Sequence, residues 1–118
     1  MTDQCISIMQ ALQDCAPCAK KIRIKLGLCE VLAQLAEEAA ELSQAALKLR
    51  RALDGTNPTP VDFGAAEANL YEELADVLLC MDAIANRPEA LDTVAPTIRR
   101  KTGRWLERIE DAEGGPEV

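Results

Sequence analysis

The sequence predicts an all-α protein, a helical bundle of about four to five helices completed by oligomerisation. Alanine, leucine and glutamate, which favour helices, are abundant. No alternation of apolar and polar residues persists long enough to indicate a strand. A chain of 118 residues holds one modest core, so we expect residues 1–118 to form a single domain.

The first predicted helix begins at the Thr2/Asp3 cap and ends near Cys15, because Ala16-Pro17 interrupts it. Proline in the interior of a helix removes a backbone hydrogen bond and clashes with the preceding turn. We therefore expect a break at this point, followed by a short basic segment before the next helix.

The second predicted helix is the longest and spans residues 28–53. It stops at Asp54-Gly55, since glycine favours the left-handed conformation that ends many helices. Residues 54–61 form the clearest loop, with prolines at positions 58 and 60.

Two further helices are predicted after this loop. The first covers roughly residues 65–86 and ends before Pro88. The last spans about residues 92–112 and contains Pro96 in its first turn, where proline is tolerated. Residues 113–118 are expected to form a frayed tail.

Apolar residues on the second and third predicted helices recur at spacings of three and four, as in packed helix pairs. We therefore expect these helices to pack antiparallel. The opposite side of the long helix is also apolar, which predicts a second subunit in a homodimer or a dimer of dimers. The two predicted stripes are Leu32, Leu35, Ala39, Leu42, Ala46, Leu49 and Leu53, and Leu70, Leu74, Val77, Leu78, Met81 and Ile84.

Charge and composition exclude several classes of function. The 13 Lys and Arg against 20 Asp and Glu give a net charge of −7, which disfavours binding to nucleic acid. The absence of histidine excludes Ser-His-Asp and Cys-His nucleophile systems and HExxH zinc proteases. No apolar stretch approaches the length of a membrane span, and the first residues do not resemble a signal peptide. We expect a cytoplasmic protein without membrane contact.

Cys15-Ala-Pro-Cys18 is a CxxC motif in a chain with five cysteines. A thioredoxin-type motif requires a βαβ setting, and a zinc site requires two more ligands, and the sequence offers neither. We interpret the pair as small apolar filling or as thiols for reversible oxidation. The alternative is a metal or disulfide shared across a dimer.

Four carboxylates are the strongest candidates for chemistry. Glu38 and Glu41 are three residues apart on the second helix, and Glu73 and Asp76 are three apart on the third, so each pair is adjacent on its helix surface. Helical periodicity places each pair on one flank of its apolar stripe, where the two pairs can converge. Two neighbouring acids point away from the stripes and are expected to be solvated: Glu37 and Glu72.

Four converging carboxylates require neutralisation, because like charges in a half-buried site raise one another's pKa or separate. The hard cation Mg²⁺, or alternatively Mn²⁺, suits oxygen ligands, whereas zinc is disfavoured without histidine. The other interpretation, open from the spacing alone, is that these are ordinary exposed acids of surface helices.

The segments Glu37-Glu-Ala-Ala-Glu-Leu and Glu72-Glu-Leu-Ala-Asp-Val-Leu resemble the all-α nucleoside triphosphate pyrophosphohydrolase superfamily, and within it the MazG-like family. The resemblance covers roughly residues 29–109 and differs from the family in its long, proline-containing connection. It implies that an ExxE and an ExxD motif together hold Mg²⁺. The residues that match these motifs are Glu38, Glu41, Glu73 and Asp76.

The resemblance also implies an activity, the Mg²⁺-dependent hydrolysis of a nucleoside or deoxynucleoside triphosphate to the monophosphate and pyrophosphate. Glu38 or Glu41 would orient or deprotonate the attacking water. Alternatives are a phosphoribosyl-ATP-type or modified-nucleotide pyrophosphatase, or a helical interaction module without turnover. The sequence does not indicate which base or sugar is preferred.

The C-terminal segment Ile98-Arg-Arg-Lys-Thr-Gly-Arg-Trp resembles the part of MazG-like proteins that uses basic residues toward substrate phosphates. We assign that role to Lys101 and Arg104. For Lys101 taken by itself, the more common interpretation is a lysine that extends its amine from the edge of the core. Trp105 and Asn69 are candidates for contact with the base or sugar. The alternatives are that Trp105 packs in the core and that Asn69 is a solvated residue. Two neighbouring arginines are interpreted as surface charges: Arg100 and Arg108.

Overall fold

The computed structural model describes residues 6–56, 62–85 and 87–114. Over these ranges the chain forms four helices and no strand, which confirms the all-α prediction. The chain divides into two compact units, Met1–Ile84 and Ala85–Val118. That both units belong to one domain stays a prediction. The helices are α1 (Ile8–Leu26), α2 (Leu28–Asp54), α3 (Phe63–Ala85) and α4 (Pro88–Glu113).

Helix α1 passes through Pro17 without a break, so the predicted interruption is wrong. Ala19, two residues later, is 1% exposed and packs in the core with Val31, and this packing holds the segment helical despite the lost hydrogen bond. The helix begins after Ser7, whose Oγ accepts a hydrogen bond from the Gln10 amide at 3.0 Å. The predicted cap at positions 2 and 3 lies outside the described residues.

Helices α1 and α2 are separated by Gly27 alone, which adopts a φ of +85°. Helix α2 then runs continuously to Asp54, as predicted, and ends at Gly55 in the left-handed conformation. Asp54 stabilises this end because its carboxylate accepts hydrogen bonds from the amide and hydroxyl of Thr56. The prolines of the predicted loop, at positions 58 and 60, lie outside the described residues.

Helices α2 and α3 pack antiparallel, as the two stripes predicted. Val31, near the start of α2, contacts Ala83, near the end of α3, and Ala19 of α1 completes the buried cluster. Further along, Glu38 of α2 lies beside Asp76 of α3. The core of this unit is small, because its fully buried residues are mostly alanines.

The inward face of α2 differs in phase from the predicted stripe. Leu35, Leu42 and Leu49 face inward as predicted, but Leu32 and Leu53 are 45% and 66% exposed. Relative to the predicted phase, α2 is rotated so that Glu38 and Ala45 face the partner helices. The sizes of the side chains alone do not reveal this rotation. Glu38 therefore lies within the helix interface rather than on its flank. The inward positions are Val31, Leu35, Glu38, Leu42, Ala45, Leu49 and Ala52.

Helix α4 begins at Pro88, earlier than predicted, because proline at the first helical position is preorganised and loses no hydrogen bond. Pro96 consequently lies inside the helix, beyond its first turn. None of the residues of α4 is buried. Its apolar stripe is exposed, with Ile98 60% and Trp105 70% exposed.

Glycines at two contrasting positions give a stability prediction. Gly55 ends α2 with a φ of +74°, which costs other residues about 1–2 kcal/mol, so Gly55→Ala should destabilise the protein by about 1 kcal/mol. Gly103 lies inside α4 with open space around it, so the matched Gly103→Ala change should stabilise α4 by about 0.5–1 kcal/mol. Urea denaturation followed by circular dichroism measures the free energy of unfolding of both variants. If both changes stabilised the protein, or both destabilised it, the contrast drawn between these two glycines would be contradicted.

Candidate metal centre

Three carboxylates from two helices meet in the first unit. Glu38 of α2 and Glu73 and Asp76 of α3 each place one oxygen within 4.8 Å of the others. All three side chains are half-buried, since their helical positions direct them toward the partner helix. The structure thus brings together three of the four acids predicted to converge, and three oxygen donors so close together could hold a metal ion.

The inner oxygens of this cluster lack partners. Oε2 of Glu38 and Oε2 of Glu73 are inaccessible to solvent, and neither has a hydrogen-bond partner among the described residues. A carboxylate oxygen removed from water without a hydrogen bond or a cation is costly. Carboxylates in this state fit a divalent cation, which would satisfy these oxygens and neutralise their charge.

Glu41, the fourth predicted acid, is exposed on α2 and reaches the cluster through Glu73. A carboxyl hydrogen bond with Glu73 raises the pKa of Glu41, and the charge of Glu73 and partial desolvation raise it further. Glu41 therefore lies at the solvent side of the cluster, where its proton affinity is increased.

Glu38 experiences opposing influences. The Gln34 amide, which donates a hydrogen bond to Oε1 of Glu38 at 2.8 Å, has the largest single effect and lowers the pKa of Glu38. Desolvation and the charges of Glu41 and Asp76 together outweigh that bond, so the net pKa of Glu38 is raised. Desolvation and the neighbouring carboxylates thus increase the proton affinity of Glu38 despite its hydrogen bond with Gln34.

Two neighbours of the cluster were not identified from the sequence. Gln34 lies one turn before Glu38 on α2, and Cys80 lies one turn after Asp76 on α3. Burial raises the pKa of the Cys80 thiol, and the charges of Glu38 and Asp76 raise it further, so the thiol is neutral near pH 7. Each lies four residues from an acid of the cluster, and this spacing is the sequence signal that could have identified them.

The two acids expected to be solvated, Glu37 and Glu72, are exposed. Asn69 is also exposed and lies on α3 one turn before Glu73. Since Asn69 is the seventh residue of α3, it is not a cap of this helix. Its contact with a base or sugar stays a prediction.

The predicted phosphate-binding residues lie in the second unit. Lys101, Arg104 and Trp105 line one shallow depression of about 360 Å³ on α4. Arg100 and Arg108, interpreted from the sequence as separate surface charges, line the same depression. This face of α4 concentrates four cationic side chains around one indole, although contact of Lys101 and Arg104 with substrate stays a prediction.

The CxxC cysteines are exposed. Cys15 and Cys18 are free thiols on α1, and Cys29 is a third exposed thiol at the start of α2. Their interpretation as apolar filling is therefore wrong, because the core of this unit is filled mainly by alanines and reaches neither side chain. Reversible oxidation of this pair stays a prediction.

Comparisons of the chain with models of protein families, with curated proteins and with solved structures found no match. The resemblance to the MazG-like family therefore depends on the motif residues of α2 and α3. Among the described residues, none of the helices is long and apolar enough to cross a membrane.

Proposed function

We propose that this protein is a Mg²⁺-dependent nucleoside triphosphate pyrophosphohydrolase of the MazG-like type. The observation that carries the proposal is the convergence of Glu38, Glu73 and Asp76, with two solvent-inaccessible oxygens that have no hydrogen-bond partner in the described part of the chain. Ordinary acids on the surface of a helix remain hydrated. The interpretation of these residues as exposed surface acids therefore does not account for the two inaccessible oxygens. The order of the acids along the chain, ExxE before ExxD, supports the same activity.

In this proposal Glu38, Glu73 and Asp76 hold the cation, with Glu41 beside them. Bound Mg²⁺, or Mn²⁺, would polarise the phosphoryl group and neutralise the charge of the triphosphate. Glu41 is the better placed of the two candidate bases, because it faces solvent and its pKa is raised. Glu41 would accept a proton from the water that attacks the α-phosphorus, and pyrophosphate would leave. Glu38 is already engaged by Gln34.

A panel of ribo- and deoxyribonucleoside triphosphates with Mg²⁺ tests this activity. We expect stoichiometric pyrophosphate and nucleoside monophosphate, measured by ³¹P NMR, since cleavage lies between the α- and β-phosphates. Release of orthophosphate alone would contradict the proposal. Including phosphoribosyl-ATP and modified nucleotides in the panel separates the related pyrophosphatase activities.

The cationic face of α4 is the proposed contact for the phosphates of the substrate, through Lys101 and Arg104, with Trp105 available for stacking on a base. Lys101→Met and Arg104→Met should raise KM more than they lower kcat, because these side chains contribute binding rather than the reacting groups. Arg99→Met on the same helix, outside this depression, is the control.

We also propose that the protein is a homodimer or a dimer of dimers in a reducing cytoplasm. Three exposed free thiols, at Cys15, Cys18 and Cys29, suit that compartment. An exposed apolar face of α2 supports self-association, because exposed apolar surface is characteristic of an interaction site. Its large residues are Leu28, Leu32 and Leu47.

Charging this face should weaken self-association. Leu32→Glu combined with Leu47→Glu places two carboxylates in the proposed interface, so the protein should become monomeric at micromolar concentration by light scattering. Lys48→Glu, which changes the charge by the same two units at an exposed position on a different side of α2, should leave the oligomer intact. A monomeric wild-type protein with full activity would contradict the proposed assembly.

Helical interaction modules without turnover remain the second candidate function, and the observation that favours this class is the number of exposed large apolar side chains. The two candidates differ in the nucleotide panel. Pyrophosphate release from any nucleotide supports the enzyme, whereas no turnover in the presence of intact carboxylates supports the module.

A further inference from the structure

We propose that the CxxC pair of α1 binds one soft monovalent cation, Cu(I), between the sulfur atoms of Cys15 and Cys18. Both side chains are exposed and both thiols are free. They lie three residues apart on a helix that continues through Pro17, so they occupy neighbouring positions on the same side of α1. The pair takes no part in the proposed hydrolysis, since the carboxylate cluster comes from α2 and α3.

The unbroken helix holds the two cysteines too far apart for an unstrained disulfide. Cβ atoms three residues apart on a helix are about 5–6 Å from each other, whereas a disulfide requires about 3.5–4.5 Å. When two thiolates share one metal ion, with metal–sulfur bonds of about 2.3 Å, their sulfur atoms are about 3.8–4.6 Å apart. A bridging ion thus adds about 2 Å to the span of the pair, compared with a direct bond between the sulfur atoms. One turn of α1 therefore suits a bridging ion better than a disulfide.

The number of donors selects the ion. Among the described residues, the carboxylate cluster is the only place where three or more His, Cys, Asp or Glu side chains bring ligand atoms within 4.8 Å of one another, so no third donor of these types joins the pair. Asp14, the acid beside Cys15, is engaged by the Gln10 amide, which donates a hydrogen bond to it at 2.8 Å. Zinc takes at least three protein ligands and iron–sulfur clusters take four. Cu(I) is selected by soft thiolates, and two of them in a linear arrangement are sufficient to hold it.

The charge of α1 suits the complex. Binding of Cu(I) by two thiols releases two protons and leaves a bis-thiolate complex with a single negative charge. The chain as a whole carries a net charge of −7, but α1 contains four cationic residues and only one acid. Lys21 lies three residues after Cys18 and is therefore adjacent to it on the helix surface. These cations compensate the charge of the complex, and the other three are Lys20, Arg23 and Lys25.

Competition with a chromogenic Cu(I) chelator tests the site. The bicinchoninate complex of Cu(I) loses its absorbance when a protein removes the ion, so an anaerobic titration with the reduced protein gives both the stoichiometry and the Kd. We expect one Cu(I) per chain. Cys15→Ser and Cys18→Ser should each weaken binding about 100- to 10,000-fold, because the second thiolate binds intramolecularly to an ion that the first already holds. Unchanged Cu(I) affinity in either variant would overturn the proposal.

Two further variants separate the position of the thiols from their number. Cys29→Ser removes another exposed thiol, at the start of α2, and should leave the Cu(I) affinity unchanged. Gln13→Cys combined with Cys18→Ser keeps the number of cysteines but places the two thiols of α1 on opposite sides of the helix, at exposed positions. This double variant should bind Cu(I) as weakly as Cys18→Ser, with the helix content unchanged by circular dichroism. Wild-type affinity in the double variant would contradict a site defined by one helical turn.

The coordination of the bound ion provides the second arm. X-ray absorption at the copper edge should show two sulfur neighbours, and Zn²⁺ at the same concentration should not displace the Cu(I), because the pair leaves zinc short of ligands. Three or more sulfur neighbours, or one Cu(I) for every two chains, would overturn the two-thiolate site. Cys15→Ser should release pyrophosphate at the wild-type rate, so the Cu(I) site and the proposed hydrolysis are tested independently of each other.

Discussion

Replacing Glu73 by glutamine should abolish measurable turnover of nucleoside triphosphates while the helices persist. Glu73 supplies an oxygen to the cluster, and its inner oxygen has no hydrogen-bond partner within residues 6–56, 62–85 and 87–114. Its replacement therefore removes a proposed ligand of the cation. Removal of a residue that only supports a metal ligand typically costs about 10- to 100-fold in activity. Loss of a ligand itself should cost more, so we expect kcat/KM to fall by more than about 100-fold. Glu38→Gln and Asp76→Asn should behave alike. Pyrophosphate release at saturating Mg²⁺, with circular dichroism of each variant, measures both properties.

The chain offers matched controls for these variants. Glu37→Gln and Glu72→Gln remove the same charge from residues adjacent to the cluster acids, but both side chains are exposed. Each should retain turnover within about threefold of wild type, since substitutions at exposed sites have small effects. If these two variants are as inactive as Glu73→Gln, the assignment of the site to the inward-facing acids is wrong.

The metal-free protein should become less stable as pH rises above 4.5, the ordinary value for glutamate. The folded-state pKa values of Glu38 and Glu41 are raised, so the folded protein binds more protons than the unfolded chain in the window between 4.5 and those values. Stability therefore falls through that window and stays lower at pH 7. Mg²⁺ at 100 times its Kd should restore about 2.7 kcal/mol at pH 7.

Urea denaturation at several pH values, with and without Mg²⁺, measures this linkage. The double variant Glu38→Gln/Glu41→Gln removes both shifted groups and should flatten the pH dependence, while Glu73, Asp76 and the neutral Cys80 thiol remain in place. This variant should also lose most of the stabilisation by Mg²⁺. An increase in stability of the metal-free wild type between pH 5 and 7 would contradict the raised pKa values.

The four helices follow from composition and apolar periodicity, which are local properties of the chain. The end of α2 at Gly55 was equally predictable, because a left-handed residue there requires glycine. The continuity of α1 through Pro17 was not predictable from local sequence, because it depends on the packing of Ala19 against α2, which is a tertiary contact.

The candidate site was predictable as a set of acids but not in its detail. Spacing identified Glu38, Glu73 and Asp76, which do converge. The phase of α2 was misassigned because the predicted stripe begins its three-and-four spacing at Leu32, which is 45% exposed, whereas Val31 is 2% exposed. That rotation places Glu38 inside the helix interface. The spacing of four residues between Gln34 and Glu38 could have identified Gln34, whereas the convergence of acids from α2 and α3 depends on how the two helices pack.

The most direct measurement is a titration of the protein with Mn²⁺, followed by electron paramagnetic resonance of the free ion. The wild-type protein should bind Mn²⁺ without any nucleotide present, and excess Mg²⁺ should displace it. Glu73→Gln should weaken this binding by more than about 10-fold, whereas Glu72→Gln should leave it unchanged. Equal Mn²⁺ affinity in wild type and Glu73→Gln would contradict the assignment of the carboxylate cluster as a metal centre.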